Sequence, residues 1–423
     1  MTHESVGRAN KPDFENIAGR ILSHIASGEA RSRLELVEIA GLSRSTVAER
    51  LGFLLKGGFV VERIEAQSGR GRPTRQLDIK KDFAVVLAAD IGETHAHLAV
   101  TDLSPAILAE TGDSLDISKG PEVILNWMVD EFERLLASLG RTSDDVLGVG
   151  LGLPAQIDFV AGRVVAPSLM TGWEDFDIRG CLRSRLDAPV VVENEVNLMA
   201  ISEHHRFWRH VSHLFFVKAG TGVGSGIIAD GRIYRGARGA AGEIAHIQVD
   251  SVDGPLCRCG KLGCLESRAS GWALARDLRR SGIPVESARD IVALVKAKRP
   301  EAIQRVREAG RILGRVIADV GCVLNPSAII VGGALSRADD HLMVGLRELL
   351  YQRSLPLATR GLIVETARAE PETCVLLGAA RVVVDTQLRA EHADQTIRRL
   401  WASAANDRSA EPLAWTVNSE RLE

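Results

Sequence analysis

Apolar residues at Ile17, Ile21, Leu22 and Ile25 recur at the spacing of one helical face, and Gly28 closes that run. Leu34, Val37, Ile39 and Ala40 predict a short second helix ended by Gly41-Leu42. Ser43 is a good N-cap, because its hydroxyl can accept from a free N–H of the next turn. Val47, Leu51, Leu54 and Leu55 give that third helix its apolar face, and Gly57-Gly58 stops it. Residues 59–64 and 75–79 then alternate like strands around a loop over 65–74. Further on, 83–89 and 95–102 read as strands on either side of Asp90-Ile91-Gly92-Glu93-Thr94. An amphipathic helix follows over 123–139, then a core strand over 146–153 running into Pro154. Residues 190–195 form an apolar strand ending in Glu193-Asn194-Glu195, with a helix over 197–206.

Two stretches have glycines where strands end. Phe215-Phe216-Val217-Lys218 leads into 220–226, where Gly220, Gly222, Gly224 and Gly226 alternate with other residues. Such a loop can expose successive N–H groups to an anion, or it can be a tight hairpin packed on a helix. Ala328-Ile329-Ile330-Val331 runs into Gly332-Gly333 in a similar way. Two strand-turn-strand lobes repeated like this predict a duplicated α/β fold with a cleft between the lobes. The expected units are a head over 1–82, a first lobe over 83–195 to which 375–388 returns, and a second lobe over 196–374. The tail over 389–423 carries Trp401 and Trp415 without a clean period, leaving both a docked helix and disorder open.

Two short helices joined by a glycine-containing turn form a helix-turn-helix, and the strand pair behind them makes it a winged one. Ser43, Arg44, Ser45, Thr46 and Arg50 are expected to be exposed at the start of the recognition helix, able to reach base edges or phosphates. The wing tip, Gly69-Arg70-Gly71-Arg72-Pro73, is thin and doubly cationic, suited to a narrow minor groove. A three-helix protein-interaction module is the plainer alternative. Arginine at both Arg44 and the wing (Arg70, Arg72) favours duplex DNA.

Charge sharpens this division. The 423 residues carry a net charge of −3, yet residues 1–81 hold +4 and the remainder −7. A basic head on an acidic body implies that only the head meets a polyanion. The 45% hydrophobic and 25% charged content is that of an ordinary globular protein. No apolar run of about 18 residues predicts a membrane span, and residues 1–14 lack an apolar signal core, so a cytoplasmic location is expected.

The densest chemistry lies between Glu243 and Ser270. His246, Cys257, Cys259 and Cys264 offer one imidazole and three thiolates, the donor set of a closed tetrahedral zinc site. Gly260 and Gly263 let the backbone turn between the second and third sulfur. Glu243 and Glu266 flank the cluster as a carboxylate wall for hydroxyl groups. The plain alternative is three buried free cysteines and a satisfied core histidine.

These motifs together resemble the ROK family (repressors, open reading frames, kinases) of the sugar-kinase, hexokinase and actin superfamily, over roughly 14–388. The resemblance rests on the 220–226 loop, Gly242-Glu243-x-x-His246 and Cys257-x-Cys259-Gly260-x-x-Gly263-Cys264-x-Glu266. It implies a two-lobed ribonuclease H-like body behind the winged helix, a structural zinc on His246, Cys257, Cys259 and Cys264, and sugar contacts from Asn194, Glu195, Glu243, His246 and Glu266. His246 would turn one ring nitrogen to the metal and the other to the ligand. Glu195 stands where the family's kinases place the aspartate that takes the sugar proton. Glu93 replaces a glycine of the phosphate turn, and Ser168 replaces an asparagine. The implied protein is a non-enzymatic, sugar-responsive regulator that binds operator DNA as a homodimer or homotetramer. A sugar kinase is the alternative, and a zinc-stabilised scaffold a third class.

Overall fold

The computed structural model describes residues 17–65, 74–165, 170–250 and 254–407. In the head, α1 (Ile17–Ser27), α2 (Arg33–Ala40) and α3 (Arg44–Lys56) precede the antiparallel pair β1 (Val60–Glu65) and β2 (Thr74–Ile79). Local capping sets the turn between α2 and α3. Gly41 closes α2 at φ 64°, and Ser43 Oγ accepts from Thr46 N at 3.1 Å to open α3. Ile21, Leu22, Leu36, Leu51 and Leu54 are fully buried between the helices. The wing tip with Arg70 and Arg72, and Ser168, lie outside the described residues.

The body holds two five-stranded sheets. The first contains β3 (Val85–Ile91), β4 (His95–Thr101), β5 (Ile107–Ser114), β6 (Val146–Leu153) and β9 (Val190–Asn194), with α4 (Pro121–Ser138) and α5 (Ile178–Leu186) in its connections. A small hairpin of β7 (Gln156–Asp158) and β8 (Arg163–Val165) follows β6. After α6 (Glu195–Phe207), the second sheet contains β10 (Leu214–Ala219), β11 (Val223–Ala229), β12 (Arg232–Tyr234), β13 (Ala328–Gly332) and β14 (Ile363–Thr366). Between its strands lie α7 (Glu266–Ala269), α8 (Gly271–Arg280), α9 (Ala288–Lys296), α10 (Pro300–Leu324), α11 (His341–Arg353) and α12 (Pro356–Thr359). The spatial orders are β5-β4-β3-β6-β9 and β12-β11-β10-β13-β14. Each sheet is a three-strand antiparallel meander extended by two parallel strands. The same path is therefore traced twice, which is the duplicated α/β fold. β3 and β6 are buried along their whole length because both faces are covered, which explains their unbroken apolar runs.

Two helices join the sheets. α13 (Cys374–Gln387) lies on the first sheet, where a Cβ on Gly150 would come within 2.5 Å of the Ala379 carbonyl. α6 lies on the second, where a Cβ on Gly224 or Gly226 would come within 2.8 Å of Val196 or Ala200. Gly224 and Gly226 of β11 thus admit a helix, as in the tight hairpin packed on a helix. α6 and α13 meet at Gly378, where a Cβ would sit 2.0 Å from the Leu198 carbonyl oxygen. α14 (Ala390–Asp407) then returns to the head. Asp394 Oδ1 accepts from Gly19 N at 2.8 Å, and the Trp401 ring lies 5.2 Å from Phe53 and 6.1 Å from Phe59. Arg399 donates to the Val146 and Leu147 carbonyls, tying the same helix to the first sheet. The stretch whose periodicity is indistinct is a docked helix as far as Asp407.

Burial, with Arg381 and Arg209 nearby, pushes the His205 imidazole of α6 from an ordinary 6.5 down to about 3. Between those two values the unfolded chain binds a proton at His205 that the folded chain refuses. Stability contributed by this group is therefore complete above the unfolded value and falls as the pH drops below it. His205→Gln is expected to flatten the acid side of a plot of melting temperature against pH, and an unchanged acid limb would contradict this assignment.

Candidate functional site

The cleft is built where β9 hands over to α6. Asn194 caps α6, its Oδ1 accepting from Val196 N at 2.8 Å and Asn197 N at 3.4 Å. Its Nδ2 donates to the Ala155 carbonyl at 2.9 Å, so one amide hydrogen remains for a ligand. The next residue, Gln156, donates from Nε2 to Glu243 Oε2 at 3.2 Å. A short polar path thus links the start of α6 to the loop that carries the cysteines. Beneath it, buried Glu193 accepts from Asn197 Nδ2 and Asn194 N at 2.9 Å, and from Arg235 Nε at 2.6 Å. Arg235 in turn lies 3.7 Å over the Phe159 ring.

Glu195, the first residue of α6, forms a close ion pair with Lys218 Nζ at the end of β10. Burial alone would lower the lysine's proton affinity, but Glu195 outweighs it and raises the ammonium above its ordinary range. The carboxylate that would take a sugar proton is therefore already satisfied by a fixed cation. Across from it, His95 Nε2 lies 3.8 Å from Asp90 Oδ2, and Asp90 draws the imidazole upward against its burial. The His95 ring also fills the space beside Gly92, where a Cβ would meet it at 2.1 Å. Glu93 reaches Arg258 of the cysteine loop at 3.4 Å, and Arg258 lies 4.9 Å from the Trp272 ring centre. The Asp-x-Gly turn is thus lined by His95 and Glu93 where a phosphate would need open backbone N–H groups.

His246, Cys257, Cys259 and Cys264 converge, their ligand atoms all within 4.8 Å of one another. Gly260 at φ 85° and Gly263 at φ 67° make the turns that bring the sulfurs inward. Cys257 Sγ lies 3.6 Å from His246 Nδ1, and Cys259 Sγ lies 3.7 Å from Cys264 Sγ. Zinc–sulfur and zinc–nitrogen bonds of about 2.3 and 2.0 Å at tetrahedral angles give separations of about 3.5 and 3.8 Å. The cluster fits a metal such as zinc. Without a cation, burial pushes the Cys257 thiol up to about 12, with the Glu266 and Cys264 charges adding to it. A bound cation reverses that balance and holds the thiolates ionised. Glu266 Oε2 lies 3.7 Å from Cys257 Sγ, and burial holds its carboxyl above the ordinary range.

The sequence-predicted residues therefore form three groups. Glu243 and Glu266 stand with the cysteine cluster, Asn194 and Glu195 stand at the start of α6, and the head residues are remote from both. Ser43, Arg44 and Ser45 are exposed and Thr46 is partly so. Arg50 departs from the expected exposure: its side chain is only 19% exposed, with Nη1 3.8 Å from Glu49 Oε1. Lys218 and His95 were missed by the motif reading. A lysine ending the apolar run of β10 was the available signal, since a charge in that position needs a buried partner.

Residues 86–386 match the sequence model of the ROK family. The chain belongs to the ROK family. Among its ROK relatives, the xylose repressor of Caldicellulosiruptor bescii is 28% identical over 383 residues, covering 87% of this chain and 95% of that protein. A solved ROK family transcriptional regulator, a homologue of the E. coli MLC protein, superposes with a TM-score of 0.76 at 24% identity, covering 92% of this chain and 99% of the other. The ROK glucokinase of Streptomyces griseus, solved with glucose and AMPPNP, gives a TM-score of 0.59 at 28% identity, covering 71% of this chain and 99% of the other.

The buried Glu195–Lys218 pair gives a direct test. Lys218→Met leaves a carboxylate without its cation and should cost about 3 kcal/mol. Adding Glu195→Gln should recover much of that loss in denaturant unfolding; purely additive losses would show that the two charges do not support each other.

Proposed function

We propose that this chain is a DNA-binding transcriptional regulator, acting as a repressor of carbohydrate-related genes, whose operator affinity is set by a sugar or sugar derivative in the cleft. The observation that carries this reading is a helix-turn-helix head joined to a ROK body whose would-be catalytic carboxylate is bound by Lys218. The coverage of the relatives supports it, since the xylose repressor aligns with 87% of the chain and the glucokinase with 71%. A kinase needs a free base and an open phosphate turn, whereas here Glu195 is paired and His95 crowds Gly92. Phosphoryl transfer to a sugar is the second reading, kept because glucokinases share the body.

In this proposal the remaining Asn194 amide hydrogen and the Glu243, His246 and Glu266 side chains meet sugar hydroxyls, with Glu195 behind them. His246, Cys257, Cys259 and Cys264 hold a zinc ion that fixes the second lobe's wall of the cleft. Ser43, Arg44, Ser45, Thr46 and Arg50 serve the major groove, and Arg70 and Arg72 reach the minor groove. A sugar bridging both lobes favours their closed arrangement by its differential affinity. In a homodimer, the lobe angle sets the separation of the recognition helices, so closure and operator binding are coupled by about 1–3 kcal/mol.

An operator duplex selected from a random pool should bind with strong salt dependence. Arg44→Ala should weaken that binding about tenfold, as expected for loss of one side chain at a base edge or phosphate. A neutral pentose or hexose should raise the melting temperature without ATP and shift operator affinity. Rapid ADP release from ATP with a sugar, together with no duplex binding, would overturn the regulator reading. The purified chain should also carry about one zinc per molecule by elemental analysis. Cys259→Ser should lose the metal and lower the melting temperature, whereas a metal-free, equally stable wild type refutes the site.

A further inference from the structure

A second cavity lies away from the cleft. It occupies about 720 Å³ between the C-terminal half of α6, α13 and the turn at Ser104-Pro105. That volume is typical of a small-molecule site. Arg206, Arg209 and Arg381 line it, with His205 and His210 beside them, and no carboxylate is among its described lining residues. Phe207 and Leu377 add an apolar wall.

Two polar atoms at this cavity lack partners. Ser202 Oγ belongs to a residue only 1% exposed, and Arg381 Nε is likewise buried and unpaired, although the outer end of Arg381 holds Asp385. A buried donor without an acceptor costs about 1–3 kcal/mol, so both atoms favour a ligand that supplies oxygen. The positive charge here is also incompletely neutralised, since Arg381 and Arg209 oppose protonation of His205.

We infer that this cavity is a second ligand site, separate from the sugar cleft, for a phosphorylated small metabolite. A phosphate ester dianion presents several acceptors to guanidinium groups and the serine hydroxyl. Its carbon skeleton would lie along Phe207 and Leu377. A bare inorganic phosphate would leave most of the volume to solvent. The inference does not rest on the regulator reading, because none of these residues borders Asn194 or the cysteine cluster.

The test is calorimetric titration of the full zinc-loaded chain, free of DNA, with glucose 6-phosphate, fructose 1,6-bisphosphate and 3-phosphoglycerate, alongside glucose and inorganic phosphate. At least one ester should bind, and its affinity should survive Glu243→Ala in the cleft. Arg209→Gln with Arg381→Gln should weaken it by about tenfold or more. Because Arg381 is partly buried, Ser202→Ala and Arg206→Gln serve as milder variants, each checked for an unchanged melting curve, and each should weaken the ester. Three results would overturn the site: no ester binding, binding lost in Glu243→Ala but kept in the arginine variant, or inorganic phosphate binding as tightly as the esters.

Discussion

The body depends on one backbone contact. α6 and α13 pass so closely at Gly378 that any side chain there would strike the Leu198 carbonyl. Each helix is pressed onto a different sheet, and Gly150, Gly224 and Gly226 bring those contacts to the same closeness. With glycines at these crossings and Leu198, Val375 and Val383 filling the space around them, the pair forms a closely packed layer between the two sheets. Residue 195 opens α6 and residue 194 caps it, so the Asn194 cap and the Glu195 carboxylate belong to this packed helix itself.

The charged side chains of the cleft are paired with one another across segments that lie far apart in the chain. Lys218 balances the carboxylate that opens α6, and Arg258 draws Glu93 across the phosphate turn. Both pairs join side chains of different segments, Glu195 with Lys218 and Glu93 with Arg258. Glu243 and Glu266 belong instead to the segment that carries the cysteine cluster, whose turns are set by two left-handed glycines.

Legibility in the sequence followed the range of the forces involved. The Ser43 cap, the strand Val146–Leu153 and the His-Cys cluster were readable because each is set within one short continuous segment of chain. β5 was not read, since an edge strand with one exposed face carries only a weak alternation. The glycines of β11 were open to two readings, and only the neighbouring helix decides between them. Arg50 is less exposed than its charge suggested, as the apolar stem of an arginine can be covered while its head group stays polar. The partnership of Lys218 with Glu195 and the docking of Trp401 are contacts between distant segments, for which no local pattern exists.

The contact between α1 and α14 joins residues 375 positions apart in the chain. During synthesis, the DNA reader emerges first and must wait for the last helix before its Phe53 and Phe59 surface gains the Trp401 ring. Only a polypeptide translated through the whole sugar-binding body can complete its own reading head. A product ending after α13 would hold the entire body yet leave the Phe53 and Phe59 face of its head without the Trp401 ring.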